Sequence, residues 1–359
     1  MAWALPHFGH LKNADSLQSL IYIGNQLSTH GFTPTTIETL APRLSAFANI
    51  STASSKRNYI ARIWEMWWTV WNAPKGSIVL IDTYSANAFH FAWTCARIAQ
   101  WRGLPYIPFL HGGNLPQRMD NTPSLSRHYF QNAAGIVSPS GYLKSEVEKR
   151  FNTPVTIIPN FIDLKQYPTR EKTFSSIRLL WVRSFHQIYN PQMAIRVLHG
   201  LHEAGYTDAT LCMIGPDKDG SRAAVEALSR QLGVEHALEI TGRLPKAAWI
   251  EKSKDYNIFI NTTHLDNTPV SVMEAMALGF PVVTTKVGGI SYLFADGEEG
   301  IMTPDDDVQA MIDAILGLMN APEHAAEMGR KARSKAESWD WEFVQVKWKK
   351  IINTLIDND

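Results

Sequence analysis

The chain has 359 residues, of which 34 are Lys or Arg and 34 are Asp or Glu, so its formal net charge is zero. This balance excludes a uniformly basic nucleic-acid-binding protein, and 45% hydrophobic with 19% charged residues excludes a disordered, collagen-like or disulfide-rich chain. At about 150 residues per domain, the length predicts two domains, each large enough to bury a core.

Cysteine usage and hydropathy bear on the compartment. Cys95 and Cys212 lie far apart in the sequence, each within an apolar run, which predicts two buried thiols in a reducing compartment rather than a disulfide or a metal site. The first residues contain no basic stretch leading into an apolar one, and no run of about 18 apolar residues occurs. We therefore expect a cytoplasmic protein that does not span a membrane.

The zero net charge conceals an asymmetry between the two halves of the chain. Residues 1–170 carry 15 Lys and Arg against 8 Asp and Glu, a charge of +7, so residues 171–359 carry 19 against 26, a charge of −7. Six of the 12 tryptophans fall between Trp64 and Trp101. Opposite charges on the two halves favour two domains with different binding partners.

Residues 1–9 form a poor candidate for a first strand, and the glycine-rich turn expected after it is reduced to Gly9. Residues 56–73, KRNYIARIWEMWWTVWNA, have helical spacing of apolar side chains. The apolar residues on one stripe of this helix are Ile60, Ile63, Trp64, Trp67, Trp68 and Trp71. We expect the stripe to face the core, as most amphipathic stripes do. The alternative is peripheral contact of residues 57–71 with a bilayer, which Trp and nearby cations favour.

Short apolar runs then alternate with longer helical patterns, which predicts parallel sheets built from βαβ units. The predicted strands of the first half are 78–82, 105–110, 135–138 and 155–158. Those of the second half are 178–182, 209–214, 238–241, 257–261, 281–284 and 300–302. No GxGxxG fingerprint occurs.

The polar segment 163–176 separates the two series of strands and is the predicted linker. It gives an N-terminal Rossmann-like domain over 1–165 and a C-terminal one over 170–335. Residues 339–359 are predicted to form a closing helix that packs back toward the N-terminal domain, because Trp341, Val344 and Trp348 have helical spacing. Doubly wound sheets bind ligands at the carboxyl ends of their strands, so we expect a ligand in a cleft between the domains.

The segment 264–289, HLDNTPVSVMEAMALGFPVVTTKVGG, carries the most specific pattern in the chain. Asp266 and Glu274 are separated by seven residues, and a helix is predicted to begin near Val270. A helix amino terminus with free backbone N–H groups suits a diphosphate. The alternative is structural: Asp266 caps the helix, and Glu274 belongs to a local hydrogen-bond network.

This segment resembles the E-x7-E signature of the family 4 retaining glycosyltransferases, and the resemblance extends over about 78–302. It implies the GT-B fold, in which two doubly wound Rossmann-like domains face each other across a cleft. It also implies that Glu274 holds the ribose hydroxyls of a nucleotide, and that Asp266, in place of the usual Glu, holds the hydroxyls of the donor sugar. The donor-binding residues implied beside them are Asn267, Thr268, Val270 and Ser271.

Two further segments follow the family pattern in the donor-binding half. In LLWVRSFHQIYNPQMAI, Arg183 takes the place of an Arg that neutralises the diphosphate, while Tyr189 and Asn190 stand where a second cation, Lys, is expected. The alternative for Arg183 is an ion pair at the surface. The loops LCMIGPDKDG and EITGRLP imply nucleotide contacts at Gly215, Gly242, Arg243 and Leu244.

In the N-terminal half, YIPFLHGGNLP places His111, Gly112 and Gly113 after a predicted strand. The resemblance puts His111 beside the donor sugar, and the two glycines allow a ligand to approach the backbone. The alternative is a purely structural histidine. Ser140 is expected to cap a helix rather than act as a nucleophile.

The resemblance implies a metal-independent, retaining hexosyltransferase of bacterial polysaccharide or cell-envelope biosynthesis. Its donor would be a nucleotide-diphosphate sugar, its acceptor a hydroxyl of a glycan or lipid-linked molecule, and it would need no cofactor. Two alternatives stay open. One is a non-catalytic nucleotide- or carbohydrate-binding protein, favoured by the missing Lys and by Asp266 in place of Glu; the other is a nucleotide-sugar epimerase of the same fold.

Overall fold

The computed structural model describes residues 18–30, 34–86 and 88–356. The weak strand considered at 1–9 lies outside these residues. The described residues form two compact units, one of 18–82, 89–108 and 352–356, and the other of 83–88 and 109–351. The domain boundaries 1–165, 170–335 and 339–359 stay a prediction.

Parallel strands form two sheets, as predicted. The strands of the first sheet are β1 Ser19–Ile23, β2 Asn49–Ala53, β3 Ile78–Thr83, β4 Tyr106–Leu110, β5 Val137–Ser138 and β6 Thr156–Ile157. Those of the second sheet are β7 Arg178–Val182, β8 Thr210–Ile214, β9 Leu238–Gly242, β10 Ile258–Asn261, β11 Val282–Thr285 and β12 Ile301–Thr303. The strand orders are β2-β1-β3-β4-β5-β6 and β12-β11-β10-β7-β8-β9. In the second sheet the winding direction reverses at β7, where β8 lies on one side and β10 on the other, which is the doubly wound arrangement.

Helices connect most of these strands. In the first half they are α1 Thr36–Leu44, α2 Tyr59–Trp71, α3 Ala88–Trp101, α4 Leu115–Asn121, α5 Pro123–Gln131 and α6 Gly141–Phe151. In the second half they are α7 Pro191–Glu203, α8 Ser221–Gln231, α9 Lys246–Lys252, α10 Val270–Ala277, α11 Val308–Asn320, α12 Pro322–Glu337 and α13 Trp341–Ile356. Within the described ranges, no helix is both long and apolar enough to cross a membrane.

Side chains of alternate residues along each strand of the second sheet enter different cores. Leu179 and Trp181 of β7 pack into the core on one face, whereas Leu180 packs into the core on the other. The same alternation holds for Met213 and Cys212 of β8. Because both faces are covered at the centre of the sheet, β7, β8 and β10 are largely apolar, and the bounds of all six strands agree with the sequence prediction to within one residue.

Two strands, β1 and β2, were not predicted from the sequence. In β1, Leu20–Ile23 are buried, yet the run is short and lies where no strand was expected. In β2 only Ala53 is buried, so its sequence, NISTA, carries neither an apolar run nor an alternating pattern. A strand that buries one side chain leaves almost no hydrophobic signal.

The prediction that the Trp stripe of α2 faces the core is wrong. The buried residues of α2 are Met66 and Val70. Trp64 and Trp68, from the predicted stripe, are exposed instead. The helix is apolar on two faces, and periodicity alone does not tell which of them the tertiary structure covers.

A helix lies within the predicted segment 339–359, and both thiols are buried as predicted; the packing of this helix toward the N-terminal domain stays a prediction. α13 covers Trp341–Ile356, and Trp348 lies edge-on to Phe109 with their ring centroids 5.2 Å apart. Cys95 and Cys212 are buried and free of disulfides. Burial raises the pKa of the Cys212 thiol to about 11, so it stays protonated at neutral pH.

Candidate functional site

The carboxyl ends of β7, β8 and β9 bring three of the predicted site residues together. The backbone N–H of Arg183 donates to the carbonyl of Ile214 at 3.0 Å, and that of Gly215 donates to the carbonyl of Gly242 at 2.9 Å. A Cβ at Gly215 would lie 1.7 Å from the carbonyl oxygen of Arg183. Glycine is therefore needed at this position to keep the backbone of Arg183 in place.

The side chain of Arg183 is only 14% exposed. Its guanidinium pairs with the Asp266 carboxylate, and its Cζ lies 4.1 Å from the centroid of the Tyr189 ring. Burial lowers the pKa of Arg183, and its Nε is buried without a hydrogen-bond partner. The alternative of a surface ion pair is wrong, because this pair is largely shielded from solvent.

The loop that carries Asp266 is held by two glycines. The backbone N–H of Gly289 donates to the carbonyl of Asp266 at 2.9 Å. A Cβ at Gly288 would lie 2.1 Å from that carbonyl oxygen, and one at Gly289 would lie 1.8 Å from the carbonyl oxygen of Asn267. The Gly-Gly pair that ends the 264–289 motif thus permits close packing against the acidic loop.

The amino terminus of α10 follows this loop. Its N-cap is Pro269, and no side chain caps the helix, so the alternative that Asp266 is the cap is wrong. The hydroxyls of Thr268 and Ser271 are buried and have no hydrogen-bond partner. In the first turn of α10, the backbone N–H groups of Val272 and Met273 donate to the carbonyl of Pro269, so the donors without an intrahelical acceptor are those of Val270 and Ser271. This end of the helix therefore concentrates donors where an anion binds well.

Glu274 lies one turn inside α10 and is buried in a hydrogen-bond network, as the structural alternative expected. Its Oε1 accepts hydrogen bonds from the Tyr167 hydroxyl and from Lys246 Nζ, both at 2.6 Å. Lys246 Nζ also lies 2.9 Å from the Tyr167 hydroxyl. Burial, together with the charge of Glu274, raises the pKa of Tyr167. The phenol is therefore protonated and acts as a donor to the carboxylate.

Neither partner of Glu274 was predicted from the sequence. Lys246 begins α9, two residues after Leu244 in the loop predicted to contact the nucleotide, so its proximity to that loop was a usable signal. Tyr167 comes from the segment predicted to be a linker, 107 positions from Glu274, and no local pattern marks it.

The His111 loop packs against the loop of Asp266. The backbone N–H of His111 donates to the carbonyl of Thr83 at 2.8 Å, and its buried ring stacks on Tyr84 with a centroid distance of 4.8 Å. Gly112 has a φ of 78°, which favours glycine. A Cβ at Gly113 would lie 2.8 Å from Cγ of Leu265. The His-Gly-Gly sequence thus lies beside the acidic loop.

Ser140 caps α6, as predicted, by accepting a hydrogen bond from the backbone N–H of Leu143 at 3.3 Å. Its hydroxyl also donates to Oδ1 of Asn267, a link that the sequence analysis missed. Asn267 is buried. The hydroxyl of Ser140 therefore acts both as a hydrogen-bond donor and as an acceptor in structural contacts.

The remaining predicted residues contribute differently. Arg243 and Val270 are exposed, while Leu244 packs on the core that contains Phe259. Gly242 has a φ of 70°, which turns the chain at the end of β9. Within the described residues, no group of three or more His, Cys, Asp or Glu is arranged to hold a metal ion.

Two family models match consecutive parts of the chain. The model described as Glycosyltransferase Family 4 matches residues 19–166. The model described as Glycosyl transferases group 1 matches residues 170–335. Together they cover both series of strands and the residues of the candidate site apart from Tyr167, which lies between the two matched ranges.

Sequence relatives include D-inositol 3-phosphate glycosyltransferase of Paenarthrobacter aurescens, 26% identical over 203 residues, which are 52% of this chain and 48% of that protein. They also include glycogen synthase of Mycobacterium tuberculosis, 22% identical over 277 residues, which are 73% of this chain and 66% of that protein. The chain thus spans about half the length of the first relative.

Solved structures share the fold. Sucrose-phosphate synthase from Thermosynechococcus elongatus superposes with a TM-score of 0.79 at 13% identity, covering 95% of this chain and 100% of that one. Anabaena Alr3699/HepE in complex with UDP has a TM-score of 0.74 at 13% identity, covering 94% of this chain and 100% of that one.

Proposed function

Because the chain belongs to glycosyltransferase family 4, we propose that it transfers a hexose from a nucleotide-diphosphate sugar to a hydroxyl group of an acceptor. The acceptor class we propose is a glycan or a lipid-linked glycan at the inner face of a membrane, within bacterial polysaccharide or cell-envelope biosynthesis. We further propose that the reaction retains the anomeric configuration and needs neither a metal ion nor another cofactor.

The observation that carries this proposal is the pair of buried, unpartnered hydroxyls of Thr268 and Ser271 at the start of α10. Burying a hydroxyl without a hydrogen-bond partner costs about 1–3 kcal/mol of stability. A ligand whose oxygen atoms accept hydrogen bonds from these hydroxyls would recover that energy. Diphosphate oxygens are such acceptors. The uncapped amino terminus of α10 and the buried cation of Arg183 supply complementary charge.

The proposed chemistry breaks the bond between the sugar anomeric carbon and the diphosphate oxygen. The acceptor hydroxyl attacks the same face of the sugar, and its proton passes to the departing diphosphate oxygen. Arg183 and the N–H groups of α10 stabilise the charge that develops on the diphosphate, which is the largest expected contribution to catalysis. Asp266 holds sugar hydroxyls, and His111 lies beside the same loop.

The nucleoside end of the donor would lie toward Glu274. A buried carboxylate can accept hydrogen bonds from both ribose hydroxyls. The backbone at Gly242 to Leu244 would contact the base. Structures of Anabaena Alr3699/HepE contain UDP and UDP-glucose. These support testing uridine donors first.

The first experiment is a thermal-shift screen of UDP-, GDP- and ADP-sugars, followed by transfer and hydrolysis assays with the stabilising donor. A ligand at about 100 times its dissociation constant adds about 2.7 kcal/mol of stability. We expect Arg183→Ala and Glu274→Ala each to reduce donor turnover at least about tenfold. Turnover within a few-fold of wild type in both variants contradicts the site assignment.

The stereochemistry and the metal requirement are tested on the same reaction. Proton NMR of the first product distinguishes the two anomers, and the retained anomer is expected. Activity is expected to survive chelation. Loss of activity with chelator and recovery with a divalent ion contradict the metal-independent mechanism.

A second candidate function is non-catalytic binding of a nucleotide or carbohydrate. Tyr189, which stands where the family has a second cation, favours it. Tight nucleotide binding without hydrolysis or transfer of any donor would identify this function. Isomerised sugar nucleotide as the product would instead identify an epimerase.

A further inference from the structure

The outer face of α2, together with the end of α3, exposes an unusual number of large apolar side chains. We call this set the Trp surface; it consists of Ile60, Trp64, Trp68, Trp71 and Trp101, exposed by 77%, 63%, 60%, 40% and 77%. Single exposed apolar residues are common, but a contiguous patch of this kind marks an interaction surface.

Contacts within the first unit join these residues into one surface. The rings of Trp71 and Trp101 lie 4.8 Å apart between centroids. Trp67, half-buried between the helices, donates from Nε1 to the Thr94 hydroxyl at 2.8 Å. A shallow cavity of about 260 Å³ is lined by Trp64, Trp67, Trp68, Trp71 and Ile98. The Trp rings are therefore held on the outside by packing of α2 against α3.

The exposed face of α2 is separate from the face that packs against the protein core. Ile60, Trp64 and Trp68 follow each other at intervals of four residues, whereas the buried Met66 and Val70 lie on a different face. Transfer of a large apolar side chain out of water is strongly favourable. A second, unburied apolar face on α2 therefore indicates contact with another apolar phase or partner.

Cations surround the Trp surface. Lys56 and Arg57 are exposed before the start of α2, and Arg62 lies over the Tyr59 ring at 5.7 Å. At the other end, Arg102 lies 5.9 Å from the Trp71 ring centroid. The remaining Lys and Arg residues of 56–75 and 88–102 are Lys75 and Arg97, and the one Asp or Glu there is Glu65.

From these observations we infer that the Trp surface docks onto an anionic lipid bilayer, with the Trp rings at the level of the headgroups. Trp combines a large apolar ring with a polar N–H and is enriched at membrane interfaces. Each cation near an anionic membrane adds to the attraction between protein and bilayer. A second copy of the chain fits this surface less well, because a two-fold interface would bring two basic rims together.

The helix would lie in the plane of the interface, with its other face on the protein core. The inference does not rest on sugar transfer, since membrane binding is measured without donor or acceptor. Its failure would leave the proposed sugar transfer unchanged and would count only against an acceptor at the membrane, and failure of transfer would leave the docking surface unchanged.

The test is flotation of the full chain with vesicles of phosphatidylcholine containing about 30 mol% phosphatidylglycerol, and with vesicles of phosphatidylcholine alone. We expect binding to the anionic vesicles with a blue shift of Trp fluorescence. The double variant Trp64→Ser and Trp68→Ser is expected to lower the partition coefficient at least about tenfold. The variant Lys56→Glu and Arg57→Glu is expected to weaken binding most at low salt.

A matched control replaces two equally exposed apolar residues on α13, Phe343→Ser and Val346→Ser, which are each 61% exposed. This control is expected to bind as wild type does. All replaced residues are at the surface, so circular dichroism and the unfolding temperature should match wild type in each variant.

Three outcomes overturn the inference. The first is no binding of wild type to anionic vesicles at low salt. The second is equal binding of the Trp variant and wild type. The third is a dimer, measured by light scattering, that the Trp64 and Trp68 substitutions dissociate without any vesicle binding of the wild-type protein.

Discussion

The guanidinium of Arg183 lies over the ring of Tyr189, with 4.1 Å between Cζ and the ring centroid. Tyr189 stands where the family resemblance places a second cation for the diphosphate. At this position an aromatic ring therefore contacts the guanidinium of Arg183, where a lysine would have contributed a second positive charge. The negative face of the ring stabilises the guanidinium, and it fixes the direction of a side chain whose other partner is Asp266.

Removal of this ring should impair the use of the donor. Cation–π contacts contribute about 0.5–2 kcal/mol, so we expect Tyr189→Ala to lower kcat/KM by about 3- to 30-fold. Tyr189→Phe keeps the ring and should retain most of the activity. Steady-state kinetics with the donor varied measure both. Equal losses in the two variants would assign the effect to the hydroxyl.

The ion pair of Arg183 and Asp266 should contribute to stability as well as to chemistry. Asp266→Asn leaves a largely buried guanidinium without its counter-charge, and we expect a loss of about 2–3 kcal/mol in the free energy of unfolding. Asp266→Glu keeps the charge and should lose less than half of that. Urea denaturation of the three proteins measures the difference. Equal stability of Asp266→Asn and wild type would show that the pair is not formed in solution.

Lys246 should orient Glu274 for the ribose. Its Nζ is 2.6 Å from Glu274 Oε1, while its side chain is half-exposed. Because the carboxylate left behind is buried and keeps only Tyr167 as a donor, we expect Lys246→Met to lower the free energy of unfolding by about 1–3 kcal/mol and to raise the donor dissociation constant about 3- to 10-fold. Isothermal titration measures the affinity. Lys252→Met, at the other end of α9, removes the pair with Glu239 and serves as the control with unchanged affinity.

Gly289 should be intolerant of any side chain. A Cβ there would meet the carbonyl oxygen of Asn267 at 1.8 Å, so the acidic loop must move. We expect Gly289→Ala to lower the free energy of unfolding by about 1–3 kcal/mol and turnover at least about tenfold. Gly317→Ala, in α11 with nothing within 4 Å of its Cβ, should raise stability by about 0.5–1 kcal/mol and leave turnover unchanged.

Lys172 should make stability depend on pH in the alkaline range. Burial lowers its pKa from 10.5 to about 8, although its Nζ donates to the carbonyls of Ser253 and Tyr256 at 3.2 and 3.0 Å. The folded protein then releases this proton more readily than the unfolded chain. The Lys172 contribution is therefore constant below pH 8 and becomes more stabilising as the pH rises from about 8 toward 10.5.

The difference in unfolding free energy between wild type and Lys172→Met isolates this effect. We expect the difference to grow in favour of wild type by about 1–3 kcal/mol over that pH range. Lys331→Met, at an exposed lysine, is the control and should show no such trend. A constant difference for Lys172→Met would mean that its ammonium group is not desolvated.

The strands were predictable where both faces of a sheet are covered. Leu179, Leu180 and Trp181 are all buried, and such runs are visible without knowledge of their partners. β2 was not predictable, since Ala53 alone is buried. In the candidate site, Arg183 and Asp266 follow strands, a position that the sequence reveals. Their contact joins side chains 83 positions apart, so it depends on the strand order.

The sequence by itself determined ten of the twelve described parallel strands, the acidic motif at the start of α10 and the family. Each of these is encoded in spacing along a short stretch of chain. Only the tertiary structure decided that Tyr167 and Lys246 contact Glu274, that Tyr189 supports Arg183, and that the Trp stripe of α2 faces outward. Periodicity fixes which side chains share a face of a helix, but the packing of distant segments determines which face is covered.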